Sequence, residues 1–449
     1  MRVMRSRRAS AAAWVWCAVL VVLPLAVGRA APLPDARQAA TQVGREIVFE
    51  DVVKAISRSR TKGGCYFSFG EPFPKQVLSV WVSDEVYYQL PYDPGVIGRT
   101  VRIRGQLATT ATGPMVTLVS PEDFELLGVD DAMLSKVRLD GTVDRQHFMA
   151  AVAQAFWRED FPTLEQLAGE LRQSHERFTD GTWVESAFFK ALEIASDEAD
   201  ERYVAAGLKI EHWLARFPPS ATATVVQAGY HLDLASHDRQ ASAGLEAAAA
   251  KEGSQRETAL ARQILEGNPA AKTVPEYFVK WQVAAYYQGW PRAAFFQLFD
   301  EAVRSEPEYY SFYFQTARYL LGGSGEDKGN WEQFAEEQRQ RRGAGGEGDA
   351  LYARIAWSMS VNYRNVCQES TVSWETMAAG FERLIAQHPK SVWLKNAYAN
   401  FAFKARDRQR LRAALPAVVG QPDMGVWVNL ENVSLAQKFA AEEPTSRKP

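Results

Sequence analysis

Cysteine is scarce: the 449-residue chain has three, and one of them, Cys17, lies in the first thirty residues. The other two, Cys65 and Cys367, are far apart in sequence. This excludes a disulfide framework and any zinc module built on cysteine. Both thiols read as small buried hydrophobes. Histidine is almost as rare. His147, His175, His212, His231, His237 and His388 contain no HExxH pattern, and His231 and His237 fall on different faces of one helix. No metal or other cofactor is implied. There is no G-x-S-x-G elbow, and Cys367 has Glu369 but no histidine nearby. The stretch Gly322 to Lys328 lacks the Gly-Lys-Ser/Thr ending of a phosphate loop and reads as a surface loop. Excess charge of one sign is missing too: 51 basic against 54 acidic residues give a formal net charge of −3. Such a surface has no general attraction for nucleic acid or anionic lipid. Beyond the first thirty residues no apolar run is long enough to span a bilayer.

What is present begins with a leader. Arg2, Arg5, Arg7 and Arg8 precede an apolar run from Ala11 to Val27, then Gly28-Arg29-Ala30. Residues 1–30 therefore read as a signal peptide cleaved after Ala30, which places the protein in the periplasm or outside the cell. The alternative is an inner-membrane anchor over 11–27. Cleavage removes five arginines and no acids, so the formal charge moves from −3 to −8.

Residues 31–44 read as a linker. Residues 45–127 hold short β-branched and aromatic runs: Cys65 to Phe69, Val77 to Val82, Thr100 to Leu107 and Pro114 to Val119. Glycine and proline punctuate them, which predicts a small β-barrel. In Val101-Arg-Ile-Arg, Val101 and Ile103 point inward and Arg102 and Arg104 outward. A second linker covers 128–144, a helical domain 145–420, and a C-terminal segment with a disordered end 421–449. Thr163-Leu-Glu-Gln166 reads as a capping box. The fold class expected is multi-domain α + β.

The phrases Lys62 to Pro74, Gly98 to Leu107 and Val119 to Phe124 resemble the exported bacterial OB-fold domain. That resemblance implies an OB-like barrel over about eighty residues and says little about function.

Three prolines organise the helical part. An amphipathic stretch runs into each of Pro218, Pro307 and Pro389, and another begins two residues later. Proline lacks an N–H and disfavours helix at the residue before it, so one helix stops there. Ser220 and Ser391 are then good N-caps. Ala228, Ala317 and Ala399 recur ten positions on, followed by Tyr230, Tyr319 and Phe401. The alanines fit close helix approach and the aromatics fill the adjoining gap. The unit is a helix–turn–helix in an irregular tetratricopeptide-like stack with further helices between the matched pairs. Phe178 to Trp183, Gln288 to Pro291, Gln297 to Ala302, Pro307 to Tyr310, Asp349 to Trp357 and Trp374 to Phe381 resemble the uncharacterised bacterial domain-of-unknown-function family 4034. This similarity covers about 145–420 and implies a helical fold without an assigned reaction.

No catalytic residue stands out. Trp290 and Trp331 sit at element ends, where aromatics line grooves. Lys62, Arg99, Arg102 and Arg104, with Lys75, form a candidate patch on the barrel, beside Tyr66, Phe67 and Trp81 as candidate stacking residues. Residues 45–125 hold nine basic and ten acidic side chains, so nucleic acid is a poor partner for that patch. The leading expectation is an exported, non-enzymatic scaffold for a protein or peptide partner in the cell envelope. One alternative is an envelope hydrolase or lyase using groove carboxylates; another is nucleic-acid or oligosaccharide binding through the barrel.

Overall fold

A computed structural model describes residues 33–442 except 60–62, 88–89, 91–95, 97–98, 128–140, 197, 242–246 and 323–330. The expected leader or anchor, Lys62, most of the glycine loop after Leu321, and the last seven residues lie outside the described residues. Among the described residues, no helix is long and apolar enough to cross a membrane.

A short helix α1 (Ala36–Ala39), capped by Asp35, precedes the barrel and buries both of its alanines at the ends. The strands are β1 (Glu46–Arg58), β2 (Gly64–Phe69), β3 (Leu78–Ser83), β4 (Thr100–Thr110), β5 (Gly113–Leu118) and β6 (Phe124–Leu126), with helix α2 (Asp84–Tyr87) after β3. Strand β1 pairs with β4 through its first half and with β2 through its second, and a register shift between Val53 and Ala55 bends it between them. The ring β1-β2-β3-β5-β4 then closes on β1, with β3 and β5 parallel and β6 added outside β4. Five strands in this order make a closed barrel consistent with an OB-fold. Its core holds Phe49, Phe67, Phe69, Val80, Val101 and Ile103. Val101 and Ile103 point inward as their alternation predicts, and Arg104 is exposed. Strand β1 was not among the expected runs. Its outward positions carry Glu46, Glu50 and Lys54, which hide the apolar alternation of Ile47, Phe49 and Val53.

The helical part runs through α3 (Gly141–Trp157), α4 (Phe161–Ser174), α5 (Val184–Lys190), α6 (Asp200–Arg216), α7 (Ala221–Ala241) and α8 (Ala247–Gly267). It continues with α9 (Pro275–Tyr287), α10 (Arg292–Ser305), α11 (Ser311–Gly322), α12 (Trp331–Arg341) and α13 (Glu347–Met359). Last come α14 (Val366–Glu369), α15 (Trp374–Gln387), α16 (Val392–Lys404), α17 (Arg408–Ala414), α18 (Met424–Trp427) and α19 (Leu430–Ala441). The cap of α4 is Asp160, whose carboxylate accepts from Thr163 N, so the helix starts before the expected capping box at Thr163. Ser391 caps α16, and the Ser220 hydroxyl accepts from Ala223 N at 2.9 Å at the start of α7.

The prolines fall in the turns α6–α7, α10–α11 and α15–α16. Ala228, Ala317 and Ala399 are each fully buried. The aromatic two positions on packs against the preceding helix each time. Tyr319 stacks on Phe295 with centroids 3.9 Å apart, Phe401 on Phe381 at 5.6 Å, and the Tyr230 hydroxyl lies over Gly207. The recurrent pattern is thus one hairpin contact made three times. Close approach is severe at Gly380 on α15, where a Cβ would lie 2.1 Å from the Asp349 carbonyl oxygen of α13, as it is at Gly348 on α13, 2.0 Å from the Arg339 carbonyl oxygen of α12. No side chain fits there without parting the helices.

The stack also meets its own beginning. Helix α3 packs against α16 and α18, and a buried ionic clasp ties these ends. Arg145 on α3 lies 3.9 Å from the Phe178 ring centre and 4.3 Å from that of Trp393 on α16. Its guanidinium meets the Asp180 carboxylate at 2.5 Å, and Arg354 on α13 donates to the Asp180 carbonyl. The barrel is tied to this body by Arg202, which donates to the Leu90 carbonyl at 3.1 Å and stacks on Trp157 at 3.9 Å.

Asp180→Ala would leave Arg354, 4% exposed as a side chain, without its buried counter-charge. A loss of about 3–5 kcal/mol in denaturant unfolding is expected. A loss below about 1 kcal/mol, the range of a surface pair, would show that the clasp does not hold the ends together.

Candidate functional site

The helical body contains a groove of about 420 Å³. Its walls come from alternate helices: Lys190 from α5, Gly229, Asp233 and Ser236 from α7, Glu276 and Lys280 from α9, and Ser311, Gln315 and Arg318 from α11. The segment Glu193 to Ser196 after α5 completes it. Helices α6, α8 and α10, which alternate with these, contribute no lining residue. On each lining helix the residues recur at three or four positions, so each presents one face.

Lys280 sits at the centre. Its side chain is 7% exposed, with Nζ 2.7 Å from Glu193 Oε1 and 3.3 Å from Glu276 Oε1. A buried ammonium is costly unless carboxylates face it, and here they arrive from separate elements. Glu276 is one helical turn away on α9, Glu193 comes from the segment after α5, and Asp233 projects from α7. Lys190 adds a second contact to Glu193 at 2.5 Å. The Tyr309 hydroxyl donates to Glu276 Oε2 at 2.7 Å, and the backbone N–H of Ile194 donates to Asp233 Oδ2 at 2.9 Å.

The carboxylates are not equivalent. Burial alone would raise Glu193, but the ammoniums of Lys280 and Lys190 outweigh it and hold the group at about 2. Burial, reinforced by the negative charge of Glu193, pushes Asp233 up to about 7. Two carboxylates near one ammonium cannot both ionise freely, so one keeps its charge and the other tends to keep its proton. Burial also raises Glu276, against the pull of Lys280. Burial works against the charge of Lys280, yet Glu193, Glu276 and Asp233 together raise its pKa. Glu185 on α5 is likewise pushed to about 7 by burial, with Arg172 opposing. Around neutral pH the site therefore combines fixed charges with a carboxyl that can give or take a proton.

The residues expected from sequence lie elsewhere. Trp331 is fully buried, and its indole N–H donates to the Tyr363 hydroxyl at 2.8 Å, so it fills core and lines no groove. Trp290 is half-buried against Trp281 and bonds Gln288 at 2.9 Å. Neither belongs to the Lys280 groove. On the barrel, Arg102 is neutralised by Glu50 at 2.7 Å and Glu125 at 2.5 Å. Arg99 is partly buried, which lowers its pKa, and Arg104 is exposed. The pairing of Arg102 leaves no coherent basic patch among the described residues. Phe67 is core, while Tyr66 and Trp81 pack on each other at 4.6 Å. Cys65 is buried and Cys367 half-buried. His231 faces Glu257 at 2.8 Å and His237 faces Asp200 at 3.0 Å.

Sequence reasoning missed Lys280, Glu193, Asp233 and Glu276. The one local signal was a charged pair one helical turn apart, Glu276 just before and Lys280 within the largely apolar run Tyr277 to Tyr287. The fold and groove define an α+β protein, a small closed β-barrel followed by a stack of helices with a polar channel. No family model matches the chain, and no curated protein or solved structure matches it either.

Two outcomes follow from the charge arrangement. Lys280→Met strands Glu193 and Glu276 and should cost about 3–5 kcal/mol, whereas Glu276→Gln should cost far less, because Lys280 keeps Glu193 and the amide oxygen can still accept from Tyr309. Equal losses in denaturant unfolding would contradict the central role of the ammonium. For Asp233 the folded pKa lies above the unfolded one. Its contribution is complete below the usual aspartate range and is lost as pH rises through about 7. Asp233→Asn should therefore raise stability at pH 8, by up to about 4 kcal/mol, and leave it nearly unchanged near pH 4. A mutant effect independent of pH would contradict the shift.

Proposed function

We propose that this is an exported, non-enzymatic binding scaffold whose helical part, an irregular tetratricopeptide-like stack, holds an extended segment of a protein or peptide partner in the cell envelope. The observation that carries this is the lining of the Lys280 groove by α5, α7, α9 and α11 while the alternating helices stay outside. Stacked hairpins present one helix of each pair to a common concave surface, and such surfaces bind extended chains. The chemistry of the lining supports the same reading. Ser186, Ser196, Ser236, Ser311 and Gln315 offer donors and acceptors to a peptide backbone, between side chains of both charge signs. In this proposal residues 145–420 are a divergent representative of family 4034. Two residues of the quoted phrases, Trp183 and Gly380, are buried at packing positions, which supports a shared architecture.

A second reading has one observation in its favour. The carboxyl of Asp233 at about 7, beside the ionised Glu193, is the pairing that acid–base hydrolysis uses. The expected aromatic neighbours Trp290 and Trp331 are not with it, and Glu193 is already paired with Lys280 and Lys190.

A photo-crosslinking side chain at Gln315, inside the groove, should capture one envelope protein saturably. The same group at Gln263, exposed on α8, should not. Equal capture from both positions would remove the scaffold reading. Turnover of an envelope polymer by purified protein, abolished by Asp233→Asn, would replace it with the hydrolase.

A further inference from the structure

One charge in the Lys280 groove is left over. On the walls supplied by α5, α7 and α9, three carboxylates, Glu193, Glu276 and Asp233, face two ammoniums, Lys190 and Lys280. Both ammoniums are committed, Lys190 to Glu193 and Lys280 to Glu193 and Glu276. Gly229 on α7 lets the Lys280 stem lie close, since a Cβ there would meet Lys280 Cε at 3.1 Å. The stem is thus seated against α7 one turn before Asp233. Even so, no cation among the described residues comes within ion-pairing distance of the Asp233 carboxylate. Its Oδ2 accepts from the Ile194 N–H at 2.9 Å. Its Oδ1 makes no hydrogen bond among the described residues and is not sealed in the core, and Asp233 lines the groove.

The other groups around Asp233 do not balance it. From α6 the Tyr203 hydroxyl donates to the Asp233 backbone carbonyl at 3.4 Å, and from α8 Glu257 is turned to His231 at 2.8 Å. His237, one turn further along α7, is held by the Ser196 carbonyl at 2.9 Å and by Asp200 at 3.0 Å. Arg318 lies on the α11 wall, exposed and without an ion pair among the described residues, and repels a cation there. Among the described residues no three side chains gather as metal ligands. With all three acids ionised, the α5, α7 and α9 walls carry one uncompensated negative charge, and it belongs to Asp233. A half-buried carboxylate with one oxygen open is completed by a single charged donor from outside.

We propose that Asp233 is the specificity-determining residue of the groove, and that it takes the ammonium or guanidinium of a lysine or arginine side chain of the bound peptide while the peptide backbone runs on toward Gln315. The subsite rests on the scaffold reading. One incoming cation brings these walls to three charges of each sign, whereas an acidic side chain would add to the carboxylate excess. Burial and the charge of Glu193 push the Asp233 carboxyl up to about 7. Below that pH the cation binds only by displacing a proton, so its affinity rises with pH through about 7 and levels off above it.

The test is a random decapeptide display library selected at pH 8 against the full chain, against Asp233→Asn and against Gln315→Trp. Circular dichroism confirms that the variants are folded, and Asp233→Asn should be the more stable protein at that pH, so a loss of affinity there is not a loss of fold. The full chain should enrich peptides with Lys or Arg at one fixed position. Asp233→Asn should bind those peptides at least about tenfold more weakly, the worth of a charge-assisted contact, and replacing the basic residue by Gln should have the same effect. The gap between the two proteins should close at about pH 5.5. Enriched peptides without a basic position, or basic peptides held equally by Asp233→Asn, overturn the subsite and leave the groove reading standing when Gln315→Trp blocks them. Basic peptides that need Asp233 but ignore Gln315→Trp keep the subsite and overturn the groove reading. A pH dependence that survives Asp233→Asn assigns the titration to another group, such as His237, and overturns the proton linkage. No enrichment at all overturns both readings. Spermidine that displaces the selected peptides at equal concentration assigns the subsite to a free amine and overturns the peptide source.

Discussion

One buried ammonium organises the helical half of this protein. Lys280 draws a carboxylate from its own helix, one from the segment after α5 and one from α7 toward a single point. Through Glu276 it is linked to Tyr309 in the α10–α11 turn. None of these groups is stable in that environment alone: each charge is tolerated because the others are present. The helices that carry them are thereby fixed in mutual position, and their fixed positions form the groove. Apolar packing sets how closely the helices approach; the charge cluster sets which faces meet.

The remainder of the fold serves that arrangement. Hairpin turns at Pro218, Pro307 and Pro389 reverse the chain, and Ala228, Ala317 and Ala399 let partner helices come close. The Asp180 clasp joins α3 to α13 and α16, which limits how far the stack can open. An open stack flexes along its length because each repeat meets only its neighbours. A stack joined at both ends has less freedom to flex.

Much of the architecture was legible in the sequence, and most of the site was not. Turn chemistry and periodicity are local, so the strands β2 to β5 and the helix boundaries around each proline could be read within a few residues. The alternation of Val101 and Ile103 against Arg102 and Arg104 was readable for the same reason. Long-range pairing is not local. Arg102 looked like a free cation until β1 and β6 brought Glu50 and Glu125 beside it. Trp331 looked like a groove residue because it follows a glycine loop, but α12 turns it into the core. Glu193 and Lys280 lie 87 positions apart. Nothing in either neighbourhood shows that they meet; only the charged pair within an apolar helix showed that something must.

Site-resolved carboxyl titration by carbon NMR tests this account most directly, with the side-chain carbons of Asp233 and Glu193 followed from pH 2 to pH 9. The account predicts that Asp233 titrates near 7 and that Glu193 stays ionised down to about 2. Midpoints for both in the ordinary range near 4 would show carboxylates that neither feel each other nor share Lys280, and would contradict it.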